Sequence, residues 1–459
     1  MARAILCSLL VACACVGHAD EALPVLVPEV ELARAPVVET PTPAQRDDDA
    51  WVVALGVRNA SASALATASD GSTLAVLWSS RCTASTEIGC VTEDLQLDFT
   101  SLDAHGRRRA SGRVPHVDRF VSAHALADRD RLVLVGHDGK DPQLATMALD
   151  IATGSPLAKA MLPVRTNLPM DLRRTRDGGL ALVTSRPDPH TEDQRDQFAL
   201  VQLDRNHRAL RHVDIGGGRS ARPFVLQSVA FAPDGSIVGA GVCPESERVP
   251  RSPPCSRIAS EHGFVAHWQP NGTLVWSRAL VPGDRDGAGV WTDGTLVRDD
   301  GSAIVHGYHH ETLELRGTGR RELLPRNLDG GARELFASYD AHGELEWVIE
   351  EDGTFELWAI DEAGRAWVTS QAAVFVGAID RGGEWVVELG SWDLCTDSAR
   401  ARPLGLALAD DGIRVLATLE PAARICALEE RTAIRTSAGV GDEAILVALP
   451  TERLLARGG

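Results

Sequence analysis

The residues whose types could do chemistry are few. His306, His309 and His310 fall together at the end of one apolar run, and imidazole nitrogens are common metal ligands that titrate near neutral pH. At i and i+3 in a loop they could share an ion; the competing reading is a solvated histidine cluster. His310-Glu311 lacks the second histidine of a zinc-protease helix. Asp284-Arg-Asp286-Gly287 matches part of a calcium loop but lacks the further acidic ligands and the closing Glu. Gly216–Gly218 could form an anion-binding nest of backbone N–H groups, or simply a flexible turn. Nucleophile elbows, phosphate loops and dinucleotide fingerprints are missing from the sequence. No two carboxylates can be assigned acid and base roles, because so many Asp and Glu sit in turns. No catalytic, cofactor-binding or metal-binding residue is therefore assigned, and no cofactor is expected.

Residues 1–19 begin with Arg3, continue as an apolar run and end in small residues. That is the pattern of a secretory signal peptide, too short for a permanent span. Leu10-Val11-Ala12-Cys13 resembles a bacterial lipobox, which would make Cys13 the lipidated amino terminus; Gly17-His18-Ala19 fits ordinary cleavage after Ala19 instead. The expected location is the outer membrane as a lipoprotein, or the periplasm or extracellular space if cleavage follows Ala19. Residues 20–49 carry Pro24, Pro28, Pro36, Pro41 and Pro43 and an acidic end, an extended linker between that terminus and a folded part.

Net charge is −18, and Lys140 and Lys159 are the only lysines. An acidic surface excludes the basic footprint that nucleic acid needs. It also excludes electrostatic docking on anionic lipid, which leaves a lipid chain as the only expected membrane contact. A monomer is expected.

The elements that would have to position any site are strands. Leu335–Ser370 holds two strand–turn–strand units in a row, with Asp340/Gly343 and Asp361/Gly364 at the turns and alternating apolar residues on either side. A first kind of hairpin recurs around Asp70-Gly71, Asp130, Asp177-Gly178, Asp234-Gly235, Asp300-Gly301, Ala363-Gly364 and Asp411-Gly412. A second kind, as in FVAHWQPNGTLVW and LFASYDAHGELEW, alternates with it. Together they make four strands per unit, A to D, repeating about every 57 residues, the scale of propeller blades. The last unit runs out of chain at Ala444–Pro450, and a spare D-like strand, Trp51–Leu55, stands at the front. The prediction is an all-β, seven-bladed β-propeller over residues 50–450, closed by the N-terminal strand pairing with the last blade, with a tail at 451–459. Closure of this kind leaves no sheet edge open at the seam. Trp51, Trp276, Trp347 and Trp385 fall in D strands, and Trp78, Trp268, Trp291, Trp358 and Trp367 in others; all are expected to pack between blades.

FASYDAHGELEW followed by AIDEAGRAWVTS, with TSAGVGDEAILVAL near the end, resembles the bacterial β-propeller repeat (SBBP-like) of exported and lipid-anchored proteins. The resemblance spans roughly residues 50 to 450. It implies a fold and carries no shared catalytic set. ALDIATGSPL also resembles the quinoprotein propeller repeat, but the tryptophan that should close each copy is often missing.

Beyond the signal segment six cysteines remain: Cys82, Cys90, Cys243, Cys255, Cys395 and Cys426. An even number in an exported chain implies disulfides, with fifteen connectivities open. In antiparallel blades the B–C and D–A connections leave on one face, and all six lie there. The expected pairs are Cys82–Cys90, Cys243–Cys255 and Cys395–Cys426. The long insertions Pro187–Gln197, Pro244–His262, Gly307–Glu334 and Pro421–Gly441 fall on the same face, the usual interaction face of a repeat protein. The function so implied is a non-catalytic scaffold binding a protein or a glycan. The alternative is a propeller enzyme, quinoprotein-like or polysaccharide-cleaving, with its site at the channel mouth.

Overall fold

Strand periodicity in the sequence becomes seven antiparallel sheets in the computed structural model. The structure describes residues 51–457 except 59, 87–88, 115–119, 129, 139–142, 166–167, 176–178, 188–195, 205–208, 217–223, 244–254, 256–261, 284–289, 327–330, 371–373, 391–400, 420–423, 427–432 and 436–442. Cys13, Cys395, Asp284, Asp286 and the signal and linker segments therefore lie outside the described residues.

Blade one is Ala60–Thr67, Thr73–Thr86, Gly89–Leu102 and Arg108–Arg113. Blade two is Phe120–Asp128, Arg131–Asp138, Gln143–Asp150 and Pro156–Arg165. Blade three is Leu168–Arg174, Leu180–Pro187, Asp196–Leu203 and Ala209–Gly216. Blade four is Val225–Phe231, Ile237–Val242, Gly263–Trp268 and Leu274–Pro282. Blade five is Trp291–Val297, Ala303–His309, Arg333–Tyr339 and Leu345–Glu351. Blade six is Phe355–Ile360, Ala366–Ser370, Val374–Ile379 and Trp385–Gly390. Blade seven takes Ala401–Ala409, Gly412–Leu419 and Glu443–Pro450 from the end of the chain and Trp51–Arg58 from its front. The A strands touch one another in succession from blade one round to blade seven and back to blade one, so they form the inner ring.

The closing strand runs antiparallel to Glu443–Pro450, with Trp51 opposite Ala448 and Ala54 opposite Ile445. Its tryptophan repeats a joint found elsewhere in the ring. Trp276 donates its indole N–H to Ala341 O (2.9 Å) in the C–D turn of the next blade, Trp347 donates to Arg381 O (2.8 Å), and Trp51 donates to Ala104 O (3.2 Å). Each ring lies against the turn's glycine. A Cβ on Gly343 would lie 2.7 Å from Trp276, one on Gly106 2.7 Å from Trp51, and one on Gly383 2.8 Å from Trp347. All three glycines also have φ between 74° and 86°, a left-handed conformation that side chains disfavour. Blade seven has no C–D turn, since its C and D strands come from opposite ends of the chain. The helix Thr451–Arg457 follows the C strand there, and Leu454 is buried with Val387, Leu389 and Val447 between blades six and seven.

One insertion folds differently from the expected face loop. Residues 307–334 include a hairpin, Leu313–Arg316 with Arg321–Leu324, that adds to the outer strand of blade four and makes a six-stranded sheet. An outer strand exposes a row of unpaired N–H and C=O groups, and Leu313 and Leu315, alternating as a strand requires, are fully buried against Trp276 and Leu280. The hairpin tip is tied down by Glu344, whose Oε2 accepts the N–H groups of Thr318 (3.0 Å) and Gly319 (2.8 Å).

Candidate functional site

The geometry of the site starts from a defect that recurs in every blade. In all seven A strands the register against the B strand slips, at Ala62/Ala64, Val121/His124, Pro169/Asp171, Leu226/Ser228, Thr292/Gly294, Leu357/Ala359 and Pro403/Gly405. A bulge leaves a residue without a cross-strand partner and turns its side chain out of the alternation. Blade five places Asp293 there, and blade six Trp358. Gln227, the bulge residue of blade four, accepts the backbone N–H and the hydroxyl of Thr292 (3.0 Å each), pinning the start of the blade-five strand from next door.

Across blade five, Trp291 pairs with Tyr308 and Tyr308 with Glu334, while Gly294 pairs with His306 and His306 with Phe336. Cross-strand partners share a face of the sheet, so these two rows lie side by side. Gly294 leaves room beside His306, and a Cβ there would stand 3.1 Å from Leu357 of blade six. His306 Nδ1 lies 2.6 Å from Asp293 Oδ1 and Nε2 lies 2.8 Å from Glu334 Oε2. The ring is buried and stacks on Phe336 (centroids 4.6 Å), which meets Phe355 and Trp385 of blade six. Burial by itself lowers the imidazole pKa, but Asp293 and then Glu334 outweigh it and lift the pKa to about 9. At neutral pH an imidazolium is therefore held between two carboxylates. Glu334 is buried; the Asp293 side chain is 51% exposed.

These donor atoms all lie within 4.8 Å of one another, among the described residues the one such group that could hold a metal. The arrangement suits the imidazolium better. The carboxylates address opposite nitrogens, so an ion on either nitrogen would have His306 and one carboxylate, the other lying against the remaining ring nitrogen. Two protein ligands fall short of the three or four of zinc sites.

Trp291, expected to pack between blades, is instead 51% exposed at the start of the inner strand. Its partner Tyr308, which stands opposite Glu334 on the C strand, has a raised pKa, from burial first and then from Asp293 and Glu334. Thus Trp291 and Asp293 on the innermost strand, Tyr308 and His306 on the next and Glu334 on the third lie toward the end of blade five that bears the B–C and D–A connections.

The histidine cluster read from the sequence does not form. His306 and His309 lie on a strand, not in a loop, where i and i+3 face opposite sides. His309 turns away to Glu350 Oε1 (3.1 Å) and Glu311 O (2.7 Å), and His310 packs edge-on against Tyr308. Asp293 and Glu334 escaped sequence reasoning because a bulge hides the first and an inserted hairpin separates the second from His306. A glycine inside an apolar strand, Gly294, was the available signal.

Cys243 and Cys255 form the expected disulfide, buried beside Phe224 and Trp268. Cys82 and Cys90 stand on paired strands, Cys82 opposite Thr92 and Cys90 opposite Ser85, and Cys426 lies in the short strand Arg424–Cys426. The side chains of these three fall outside the described residues, as do Gly217 and Gly218 of the glycine run.

No protein-family model matches the chain, and no curated protein sequence matches it. The solved structures it is similar to include hydrazine synthase of Kuenenia stuttgartiensis, at 12% identity and TM-score 0.45 over 83% of this chain and 98% of that one. The β-propeller domain of the Trilobed protease from Pyrococcus furiosus matches at 11% identity and TM-score 0.44, over 83% and 99%. BamB from Moraxella catarrhalis matches at 12% identity and TM-score 0.39, over 87% and 99%. The seven-bladed fold itself follows from this chain's own strand pairing.

Proposed function

We propose that this chain is an exported, non-catalytic β-propeller, tethered through a lipid on Cys13, that binds a glycan at the axial mouth of blade five. The observation that carries the reading is the half-exposed Trp291 beside the exposed Asp293 on the innermost strand. An indole with one wet face gives a sugar ring an apolar surface to stack on, while Asp293 and the Tyr308 hydroxyl supply orienting hydrogen bonds. His306 and Glu334 serve as supports: they fix Asp293 in place from beneath. The exported location fits the Cys243–Cys255 disulfide, a bond that persists in oxidising compartments.

The test is binding of residues 50–459 to an array of bacterial envelope glycans, with Trp291→Ala in parallel. We expect glycans retained by the parent chain and released by the variant. An empty array removes the glycan reading; a protein captured only when Trp291 is present would replace it with a protein-binding scaffold. A polysaccharide-cleaving enzyme is the second reading, favoured by an exposed carboxylate backed by a buried imidazolium. Shortened glycan products that vanish in Asp293→Asn would establish it.

A further inference from the structure

We infer that the ligand group recognised at the blade-five mouth is an organic cation, the ammonium of a deacetylated amino sugar. This deepens the glycan reading and rests on it for the sugar part. Two carboxylates here face one imidazolium, so the group keeps a negative charge at neutral pH. The positive charge of His306 is spent, because each of its ring nitrogens already meets a carboxylate oxygen at 2.6 or 2.8 Å. Among the described residues Asp293 meets no arginine or lysine, unlike the turn carboxylates Asp300 and Asp361, each held by an arginine at 2.7 Å. An exposed carboxylate whose one basic neighbour, His306, is shared with Glu334 is what an incoming cation would pair with.

The aromatic residues point the same way. Trp291 and Tyr308 are cross-strand partners and so share one side of the sheet with the carboxylates. A cation over an indole face is attracted by the ring's negative quadrupole, more strongly when desolvated. Elsewhere in this protein the pairing is satisfied internally, with Arg278 over Trp276 (5.6 Å), Arg298 over Trp347 (5.9 Å) and Arg414 over Trp51 (5.3 Å). Trp291 has the exposed face and the acidic neighbour but no arginine over it among the described residues. A chain of net charge −18 also draws cations and repels acidic polysaccharides.

The test is calorimetric titration of residues 50–459 with a glucosamine hexamer and with its N-acetylated counterpart, at low and at moderate salt. We expect the amine form to bind at least about tenfold tighter, the factor that roughly 1.4 kcal/mol of charge and cation–π interaction provides. Trp291→Ala, at an exposed position that leaves the ion pairs of His306 with Asp293 and Glu334 intact, should abolish binding. Asp293→Asn should erase the preference, and salt should weaken it. Equal binding of both hexamers through Trp291 would overturn the cation inference and leave the glycan reading standing. If neither hexamer binds but tetramethylammonium does, in a Trp291-dependent way, the cation site holds and the glycan reading falls. No binding by any of the three probes overturns the inference.

Discussion

The buried imidazolium makes stability depend on pH in a particular window. His306 is neutralised near pH 6.5 in an unfolded chain and near 9 in the fold. Its folded pKa is raised, so the stability it contributes is complete below pH 6.5 and is lost as pH rises through 9. The shift corresponds to about 3 kcal/mol as a ceiling. Asp293 is half exposed and solvent screens its share, so roughly 2 kcal/mol is the expected loss. Urea unfolding at pH 6.5, 7.5, 8.5 and 9.5, read from tryptophan fluorescence, measures it. His306→Gln is the reference: it should cost roughly 3–5 kcal/mol at pH 6.5, because Glu334 is left buried without its counter-charge. The variant should also lose the decline between pH 7.5 and 9.5. Asp171, lifted to about 7 by burial, adds a decline of its own at the acid end of the series, which the variant shares; burial lowers His267, and burial raises Tyr308 and Tyr339 above their usual 10. Parallel pH curves for the two proteins would refute the reasoning, since they would show that His306 is not held charged by Asp293 and Glu334.

Three further outcomes follow from the same geometry. Asp171 is lifted to about 7 by burial, against the N–H groups of Leu172 and Phe231 that it accepts, so its ionised form is disfavoured in the fold and stability falls as pH rises from about 4 through 7; Asp171→Asn should be at least about 2 kcal/mol less sensitive over that range in urea titrations. Gly343→Ala combines a φ of 78° with a Cβ 2.7 Å from Trp276, and should cost roughly 2–3 kcal/mol in urea unfolding, whereas Gly382→Ala, at an ordinary φ, should cost far less. Replacing Cys243 and Cys255 with serine opens a 12-residue loop and should lower stability by about 2–3 kcal/mol, seen as a shift in thermal midpoint that reducing agent reproduces in the parent chain.

The ring was legible because its code is local. Asp-Gly turns, period-two strands and one surplus strand at the front all sit within short windows, and the seam between Trp51–Arg58 and Glu443–Pro450 forms as those windows imply. The D-strand tryptophans were legible for the same reason: Trp51, Trp276 and Trp347 each act on the turn of the next blade, while Trp385, with no such turn ahead of it, donates back to Glu351 Oε1 of blade five (2.7 Å). The site was not legible. His306 reads as part of a histidine run, but alternation sends it and His309 to opposite faces, and its true partners are a residue in a bulge and one beyond a hairpin. Trp291 looks in sequence like every other strand tryptophan, yet at the start of its innermost strand it is exposed, while Trp358 on the innermost strand of blade six packs against the core. The residues 307–334 insertion reads by its length as part of the recognition face, yet Leu313 and Leu315 carry it onto the edge of blade four.

Why blade five carries the site can be argued from the bulges. Seven A strands offer seven equivalent unpaired positions around the axis, so the fold supplies places without deciding which is used. Blades three, four and seven fill theirs with Met170, Gln227 and Leu404, side chains that pack or hydrogen-bond but do not ionise. Blade five places an acid there, follows it with Gly294, and so clears the space that a buried imidazole needs beside Leu357 of blade six. The C strand then supplies Glu334 at a register where it meets the far side of the same ring. Remove any one of these and the others lose their reason: without the bulge Asp293 follows the alternation of the strand, without the glycine His306 is crowded, and without Glu334 the imidazolium loses its buried counter-charge. An arrangement that sets a buried imidazolium and a buried Glu334 to orient one exposed carboxylate next to one exposed indole gives up its stabilisation as pH rises through 9, and a propeller needs none of it to close.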